Sequence, residues 1–195
     1  MIGTLPTWDL AAREYRYALD AVMPSLTGKG TPVVCCRVPA LAAEVRQRLI
    51  RGTEEAQAHV ALWLEPLADD WQTELGALAA AMAGDGLLLV IASRPLARLL
   101  PERRDWPGGA LGLRPGGIGR LRRALGQRGF AVEVEYGVHT LSAIGLNLLG
   151  QQAARWGRPD LGDRLGFAGR LRYCTAGPMA SLSTVALLVA RKRQS

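Results

Sequence analysis

The sequence predicts an α/β protein built on a mostly parallel sheet of about five strands, with helices on both faces. Two observations predict this class. Residues 87–92 are a continuous apolar run without alternation, which is typical of a strand buried on both faces. Residues 69–83 carry leucine and methionine at helical spacing, behind aspartates that can cap a first turn. A helix that leads into a doubly buried strand is the unit from which parallel sheets are built.

The first part of the chain adds two helices and two strands to this unit. Residues 7–23 predict an N-terminal helix, and residues 39–51 predict a second helix that opens at a proline. Residues 33–36 and 59–64 are short apolar runs typical of buried strands. The second run ends at Pro66, which cannot continue a strand ladder. Between helix and strand, the glycines at 84–86 predict a turn with positive φ.

The second part of the chain predicts a basic helix, an edge strand, a helical insertion and a last strand. Residues 94–117 are rich in proline and glycine and predict a long irregular connection. The elements after it are a basic helix at 117–127, an alternating strand at 130–136 with Glu133 and Glu135 facing outward, helices at 140–156 and 160–173, and a buried strand at 184–190. We expect one domain, made of an N-terminal helix and connector (1–32), an α/β core (33–136), a helical insertion (137–181) and a final strand (182–192).

Composition and charge limit the functions that fit. The chain of 195 residues is 49% hydrophobic and 21% charged, and no apolar run is long enough to span a membrane. Its net charge of +7 is concentrated in two arginine-rich segments, 94–128 and 151–195. Such a surplus suits phosphate, nucleic acid or anionic lipid, and it also suits a solvated surface. No secretory signal begins the sequence, and three cysteines predict free buried thiols, so we expect a cytoplasmic protein.

The order of these elements is familiar from one enzyme family. A strand, a helix with a Glu-Leu pair, a glycine turn, an apolar strand, a basic helix, Gly-Phe and an alternating strand follow each other. The matching positions are Leu67, Asp70, Glu74–Leu75, 84–87, 121–134 and 185–192. This pattern resembles the C-terminal half of the class I S-adenosylmethionine-dependent methyltransferases. The resemblance implies a Rossmann-like fold.

The sequence departs from that family at its cofactor motif. The family has a glycine-rich turn with an acidic residue after its first strand, which lets the backbone approach the ligand closely. Here residues 37–41 read Arg-Val-Pro-Ala-Leu, and 22 residues separate Cys36 from His59, which leaves room for one helix. The resemblance therefore implies a reduced Rossmann-like sheet without the family's second and third strands. We expect no cofactor, with S-adenosylmethionine at an atypical site as the alternative.

Two places in the chain are candidate binding sites. Strand ends carry Arg37, Glu65, Ser93 and Arg94, and the carboxyl ends of parallel strands are where ligands bind in open α/β sheets. Local capping and ion pairing are the alternative role for these four residues. The start of the basic helix carries a candidate anion site, with free N–H groups next to arginines. Its residues are Gly117, Gly119, Arg120 and Arg123.

The two histidines have no partner at metal-ligand spacing, so the sequence predicts no metal site. His139 follows the alternating strand and is a candidate general base. The sequence shows no nucleophile elbow and no Ser-His-Asp order.

The helical insertion combines apolar residues with arginines. Trp156, Arg158, Arg164 and Arg170 are its candidate interaction residues. Three roles suit such a segment: a lid on the sheet, a protein interface, or a segment lying on an anionic membrane. Nucleic acid is not favoured, because no sheet face interleaves aromatic and basic residues.

Three functional hypotheses follow. The leading one is a non-catalytic, methyltransferase-like scaffold that acts as a subunit of a larger assembly, through a protein partner or a second copy of the chain. The second is an active methyltransferase with an atypical site at Arg37, Glu65 and Ser93. The third is a peripheral protein held at the cytoplasmic face of an anionic membrane by its helical insertion.

Overall fold

The structure is a computed structural model and describes residues 33–36, 58–66, 69–99 and 111–193. The helices expected at 7–23 and 39–51 and the cleft candidate Arg37 lie outside these residues. The described helices and strands are β1 (Val33–Cys36), β2 (Ala58–Leu64), α1 (Trp71–Ala81), β3 (Met82–Ser93), α2 (Gly117–Gln127), β4 (Phe130–Thr140), α3 (Leu141–Arg155), α4 (Pro159–Leu171), β5 (Cys174–Ala176) and β6 (Ser183–Lys192). Within these ranges no helix is long and apolar enough to cross a membrane.

The described strands form one six-stranded sheet in the order β1-β2-β3-β6-β4-β5. β1, β2 and β3 pair in parallel, whereas β6 runs antiparallel to both β3 and β4, and β5 runs antiparallel to β4. β4 therefore points in the same direction as the first three strands. The α/β class is confirmed, but the sheet is mixed rather than mostly parallel in its pairings. β6, the last described strand, is inserted between β3 and β4, and the short strand β5, which was not predicted, follows the helical insertion.

One face of the sheet is covered by α1 and α2. Leu75 and Leu78 of α1 and Leu121 and Leu125 of α2 join a buried cluster with Trp63 of β2. Residues of β2, β3 and β6 that point to the other face are buried as well, among them Leu62, Leu89 and Leu187. The prediction that residues 87–92 form a strand buried on both faces is therefore confirmed. Burial of both faces is what removes alternation from its sequence.

The glycine turn predicted at 84–86 is wrong. These residues belong to β3, which begins at Met82, immediately after α1. The β2–β3 register jumps here, because Ala58 pairs with Met82 while Val60 pairs with Leu87. The residue with positive φ is Asp85, at 75°, and neither neighbouring glycine adopts that conformation. Aspartate tolerates the left-handed region better than most residues, so the irregularity is absorbed inside the strand.

The faces predicted for β4 are wrong beyond Val132. The β4–β6 register shifts between Val132, opposite Ala190, and Val134, opposite Val189. Such a bulge adds one residue and moves every later side chain to the other face. Glu135 thus shares the α2 face of the sheet instead of pointing to solvent with Glu133. Its partners on that face are described below.

The helical insertion is confirmed as a pair of antiparallel helices, α3 and α4, which we call the α3–α4 hairpin (residues 141–171). Thr140 caps α3 by accepting a hydrogen bond from the backbone N–H of Ala143 at 3.2 Å. The helices cross where Gly150 and Gly162 face each other. A Cβ atom on either glycine would lie within 3.0 Å of the other's carbonyl oxygen. Small residues therefore set the close approach of the two helices.

Candidate functional site

The carboxyl ends of β1 to β4 meet at one edge of the sheet, because these four strands point the same way. We call this the carboxyl edge. It carries Glu65 after β2, Ser93 and Arg94 at the end of β3, and His139 near the end of β4. The amino end of β6 reaches the same edge, where Thr184 lies next to the end of β3. Polar residues from four strands thus converge at the place where open α/β sheets bind ligands.

Glu65 is the most constrained residue of the carboxyl edge. Its backbone is left-handed, with φ at 56°, and the residue is 5% exposed. Its carboxylate accepts a hydrogen bond from the Ser93 hydroxyl at 2.8 Å and from the Ser93 backbone N–H at 3.1 and 3.2 Å. Its own N–H donates to the carbonyl of Ile91 at 2.7 Å. These bonds tie the ends of β2 and β3 together and offset the cost of the left-handed backbone.

The Arg94 side chain belongs to a cluster on the α2 face of the sheet. Its guanidinium forms an ion pair with Glu135, which Arg122 of α2 also contacts at 3.2 Å. The Arg94 side chain is buried, and its Nε has no hydrogen-bond partner within the part of the chain that the structure describes. Its backbone N–H donates to the carbonyl of Thr184 at 2.7 Å. Among the four cleft candidates, the structure brings Glu65 and Ser93 together and places the Arg94 side chain in the α2 interface.

A short 3₁₀ helix, Leu111–Leu113, closes the connection predicted as irregular and packs directly on the carboxyl edge. The Leu111 N–H donates to the carbonyl of Pro66 at 2.8 Å. A Cβ atom at Gly112 would lie 2.0 Å from the Ser93 carbonyl oxygen. Only glycine allows this approach, so Gly112 fixes how closely the connection covers the strand ends.

His139 is the second strained residue of the carboxyl edge, with φ at 56°. Its ring stacks on Tyr173, with centroids 5.2 Å apart and planes 21° apart. Its backbone N–H donates to the Tyr173 carbonyl at 2.7 Å. The sequence marked His139 as a candidate base but gave no signal for Tyr173, because the two residues come together only through the β4–β5 pairing. The stacking and the backbone hydrogen bond together hold the imidazole at this edge.

The candidate anion site at the start of α2 is partly occupied by internal contacts. The Gly117 N–H donates to the carbonyl of Arg114 at 2.9 Å, and a Cβ atom at Gly117 would lie 1.9 Å from the Leu111 carbonyl oxygen. Gly117 is therefore buried against the Leu111–Leu113 turn. Gly119, Arg120 and Arg123 are exposed. Anion binding by these four residues stays a prediction.

The interaction candidates all lie on the outer surface of the α3–α4 hairpin. Trp156 is 77% exposed, and Arg158, Arg164 and Arg170 are exposed as well. The Arg170 guanidinium carbon lies 5.9 Å from the centroid of the Phe167 ring. The structure thus places these four residues where a partner surface could reach them.

The described residues contain no group of three or more histidine, cysteine, aspartate and glutamate side chains that could hold a metal ion. Cys174 is free and half-buried, and this burial raises the pKa of its thiol. A raised pKa disfavours the reactive thiolate, so Cys174 is poorly suited to act as a nucleophile.

No protein-family model matches the sequence, and no curated protein sequence matches it. Among solved structures, the chain is similar to a methyltransferase of Thermotoga maritima, described as an S-adenosylmethionine-dependent enzyme and possible histamine N-methyltransferase. The two share 14% identity over 95% of this chain and 93% of that chain, with a TM-score of 0.54. An S-adenosylmethionine-dependent methyltransferase of Mesorhizobium loti shares 16% identity over 92% and 98%, with a TM-score of 0.49.

The chain therefore has the fold of the class I S-adenosylmethionine-dependent methyltransferases, which confirms the resemblance drawn from the sequence. The likeness to the Thermotoga maritima protein extends over nearly the whole chain, beyond the C-terminal half on which that resemblance rested. At this level of identity it shows the fold, and function has to be argued from the site.

Proposed function

We propose that the chain is an S-adenosylmethionine-dependent methyltransferase whose cofactor and methyl acceptor bind at the carboxyl edge. The observation that carries this proposal is Glu65, a buried carboxylate held in a left-handed backbone at the end of a parallel strand. Strained residues of this kind persist where the surrounding structure fixes them, and they cluster at functional sites. The fold and the edge on which Glu65 lies both support the enzyme hypothesis over the scaffold.

Glu65, at the carboxyl edge, suits the cationic part of the cofactor. S-Adenosylmethionine carries a sulfonium and an ammonium group, and Glu65 supplies a buried negative charge of fixed orientation. Arg37, which follows β1 in sequence, suits the cofactor's carboxylate. When bound, the cofactor would supply an electrophilic methyl group. The sequence expectation of no cofactor is replaced by this proposal.

Ser93 and His139 have different roles in this proposal. Ser93 donates both its hydroxyl and its N–H to Glu65, so it positions that carboxylate and is not itself a nucleophile. His139 lies three strand intervals from β2, roughly 14 Å across the sheet. In this proposal the methyl acceptor lies in this interval, between Glu65 and His139. His139 would take up the proton that an acceptor nitrogen or oxygen releases on methylation.

Titration calorimetry with S-adenosylmethionine and S-adenosylhomocysteine tests the proposal. We expect wild-type protein to bind both. Glu65→Gln should weaken S-adenosylmethionine about tenfold, and S-adenosylhomocysteine much less, because only the former carries the sulfonium charge. Asp85→Asn is the matched control. It makes the same acid-to-amide change at a left-handed residue at the other end of β3, and should leave both affinities unchanged.

The non-catalytic scaffold is the second candidate, and a specific observation favours it: residues 37–41 contain no glycine and no acid where the family has its cofactor turn. No heat with either ligand at millimolar concentration would overturn the enzyme proposal and support this candidate. If Glu65→Gln weakened the affinity for both ligands equally, the cofactor would still bind at this site, but Glu65 would not recognise the sulfonium group.

A further inference from the structure

Exposed large apolar side chains are concentrated on the α3–α4 hairpin. Ten such residues occur in the part of the chain that the structure describes, and seven belong to this hairpin. Isolated exposed apolar residues are ordinary, but a concentration on one element marks an interaction surface. The five that are more than half exposed are Leu148 (56%), Leu149 (59%), Trp156 (77%), Phe167 (56%) and Leu171 (70%).

Arginines accompany these apolar residues along both helices. Residues 141–172 contain five arginines and two aspartates, with no lysine and no glutamate. Arg155 precedes Trp156 and Arg172 follows Leu171, while the Arg170 guanidinium approaches the Phe167 ring. Helices that lie in a membrane interface combine exposed tryptophan, phenylalanine and leucine with arginine in this way. The apolar groups enter the headgroup region and the guanidinium groups pair with lipid phosphates.

The charge of the hairpin distinguishes between the possible occupants of this surface. In a symmetric dimer the same patch would face itself, and residues 141–172, with a net charge of +3, would repel their copy. Arginine beside exposed aromatic rings also occurs in protein interfaces, so the net positive charge of this segment, and not its composition, distinguishes an anionic surface from a second copy. An anionic bilayer satisfies both groups at once, because it offers apolar depth beneath a layer of negative charge.

We propose that the α3–α4 hairpin docks the protein on an anionic membrane surface. The contact inserts Phe167 and Leu171, which lie one turn apart on α4, together with Trp156 in the connection between the helices, and holds them there through Arg164 and Arg170. Docking does not depend on methyltransferase activity, because no residue of the carboxyl edge takes part in it. Since α3 begins directly after β4, it would also bring that edge close to the membrane surface.

Co-sedimentation of the full chain with vesicles tests this proposal. We expect binding to phosphatidylcholine vesicles that contain about one third phosphatidylserine, and little binding to phosphatidylcholine alone. Binding should weaken steeply as salt rises toward about 0.5 M, because surface charges are then screened. The fluorescence of Trp156 should shift to the blue on binding, and this shift should disappear in Trp156→Ser.

Charge reversal on the hairpin gives the sharpest comparison. Each arginine near an anionic surface raises the vesicle partition coefficient roughly fivefold. Arg164→Glu with Arg170→Glu should therefore reduce that coefficient by at least about 25-fold. The matched control is Arg120→Glu with Arg123→Glu, which makes the same charge change on the exposed side of α2 and should reduce binding far less.

Other outcomes would overturn the proposal. Equal losses in the two double variants would show that net charge, and not the hairpin, governs binding. A concentration-dependent dimer that Trp156→Ser dissociates, without any vesicle binding, would assign the surface to a second copy. Failure to sediment with either vesicle would reject docking and leave the calorimetric test of cofactor binding unaffected.

Discussion

Replacing Glu65 tests whether its buried carboxylate holds the carboxyl edge together. Glu65→Ala removes the acceptor for the Ser93 hydroxyl and N–H, and both residues are buried. A hydrogen bond to a charged group contributes about 1.5–3 kcal/mol, and a buried N–H left without a partner costs about 1–3 kcal/mol. These terms overlap, so we expect Glu65→Ala to lower the free energy of unfolding by about 3 kcal/mol.

Two further substitutions at this position separate backbone strain from hydrogen bonding. Glu65→Gly loses the same bonds but relieves the left-handed backbone, which recovers roughly 0.5–1 kcal/mol after its entropic cost. Glu65→Gln keeps one acceptor oxygen for Ser93 and should cost about 1 kcal/mol. Glutamine should therefore be the least damaging of the three substitutions and alanine the most damaging.

Urea unfolding followed by circular dichroism and by tryptophan fluorescence measures this series, with the buried Trp63 reporting on the core. Asp85→Ala is the control, because Asp85 is also left-handed but its side chain is 56% exposed. That substitution removes an exposed pair with His59 and a surface attraction to Arg191, loses the tolerance of aspartate for this backbone, and should lower the free energy of unfolding by about 1 kcal/mol. A Glu65→Ala protein as stable as wild type, or more stable than Glu65→Gly, would refute the reasoning.

The remaining predictions concern the packing around the edge. Glu135→Ala should lower the free energy of unfolding by about 3 kcal/mol, because it leaves buried Arg94 without its ion-pair partner. Glu133→Ala removes an exposed pair and should lower it by less than about 1 kcal/mol. Equal losses in urea unfolding would argue against the bulge. Gly112→Ala should cost about 1–3 kcal/mol by thermal unfolding, because its Cβ would overlap a carbonyl oxygen of β3. Gly119→Ala lies on the exposed side of α2, where the added Cβ meets no neighbour, so it should instead raise the free energy of unfolding by up to about 1 kcal/mol. A decrease would contradict this account.

Much of the fold could be predicted from local pattern. The helix at 117–127 and the two helices of the insertion repeat their apolar residues at the period of a helix, and proline or glycine marks their ends. Residues 87–92 lack any alternation because both faces of β3 are covered. The resemblance to methyltransferases follows from the order of such elements and needs no knowledge of their contacts.

The candidate site could be predicted only in part. Placing Glu65 and Ser93 at strand ends followed from the apolar runs before them. The bond between them joins residues 28 positions apart and depends on the β2–β3 register. Arg94 was expected beside them, but the bulge in β4 turned Glu135 toward the α2 face and provided a different partner for its guanidinium.

The sequence by itself determined the α/β class, the buried strands, the helical insertion and the arginine surplus, because each is a property of neighbouring residues. Only the tertiary structure decided that β6 lies between β3 and β4, that Asp85 rather than a glycine takes the left-handed conformation, and that His139 stacks on Tyr173. These features depend on the register between segments distant in the chain. A one-residue shift in register reverses the faces of a strand without any mark in its local pattern.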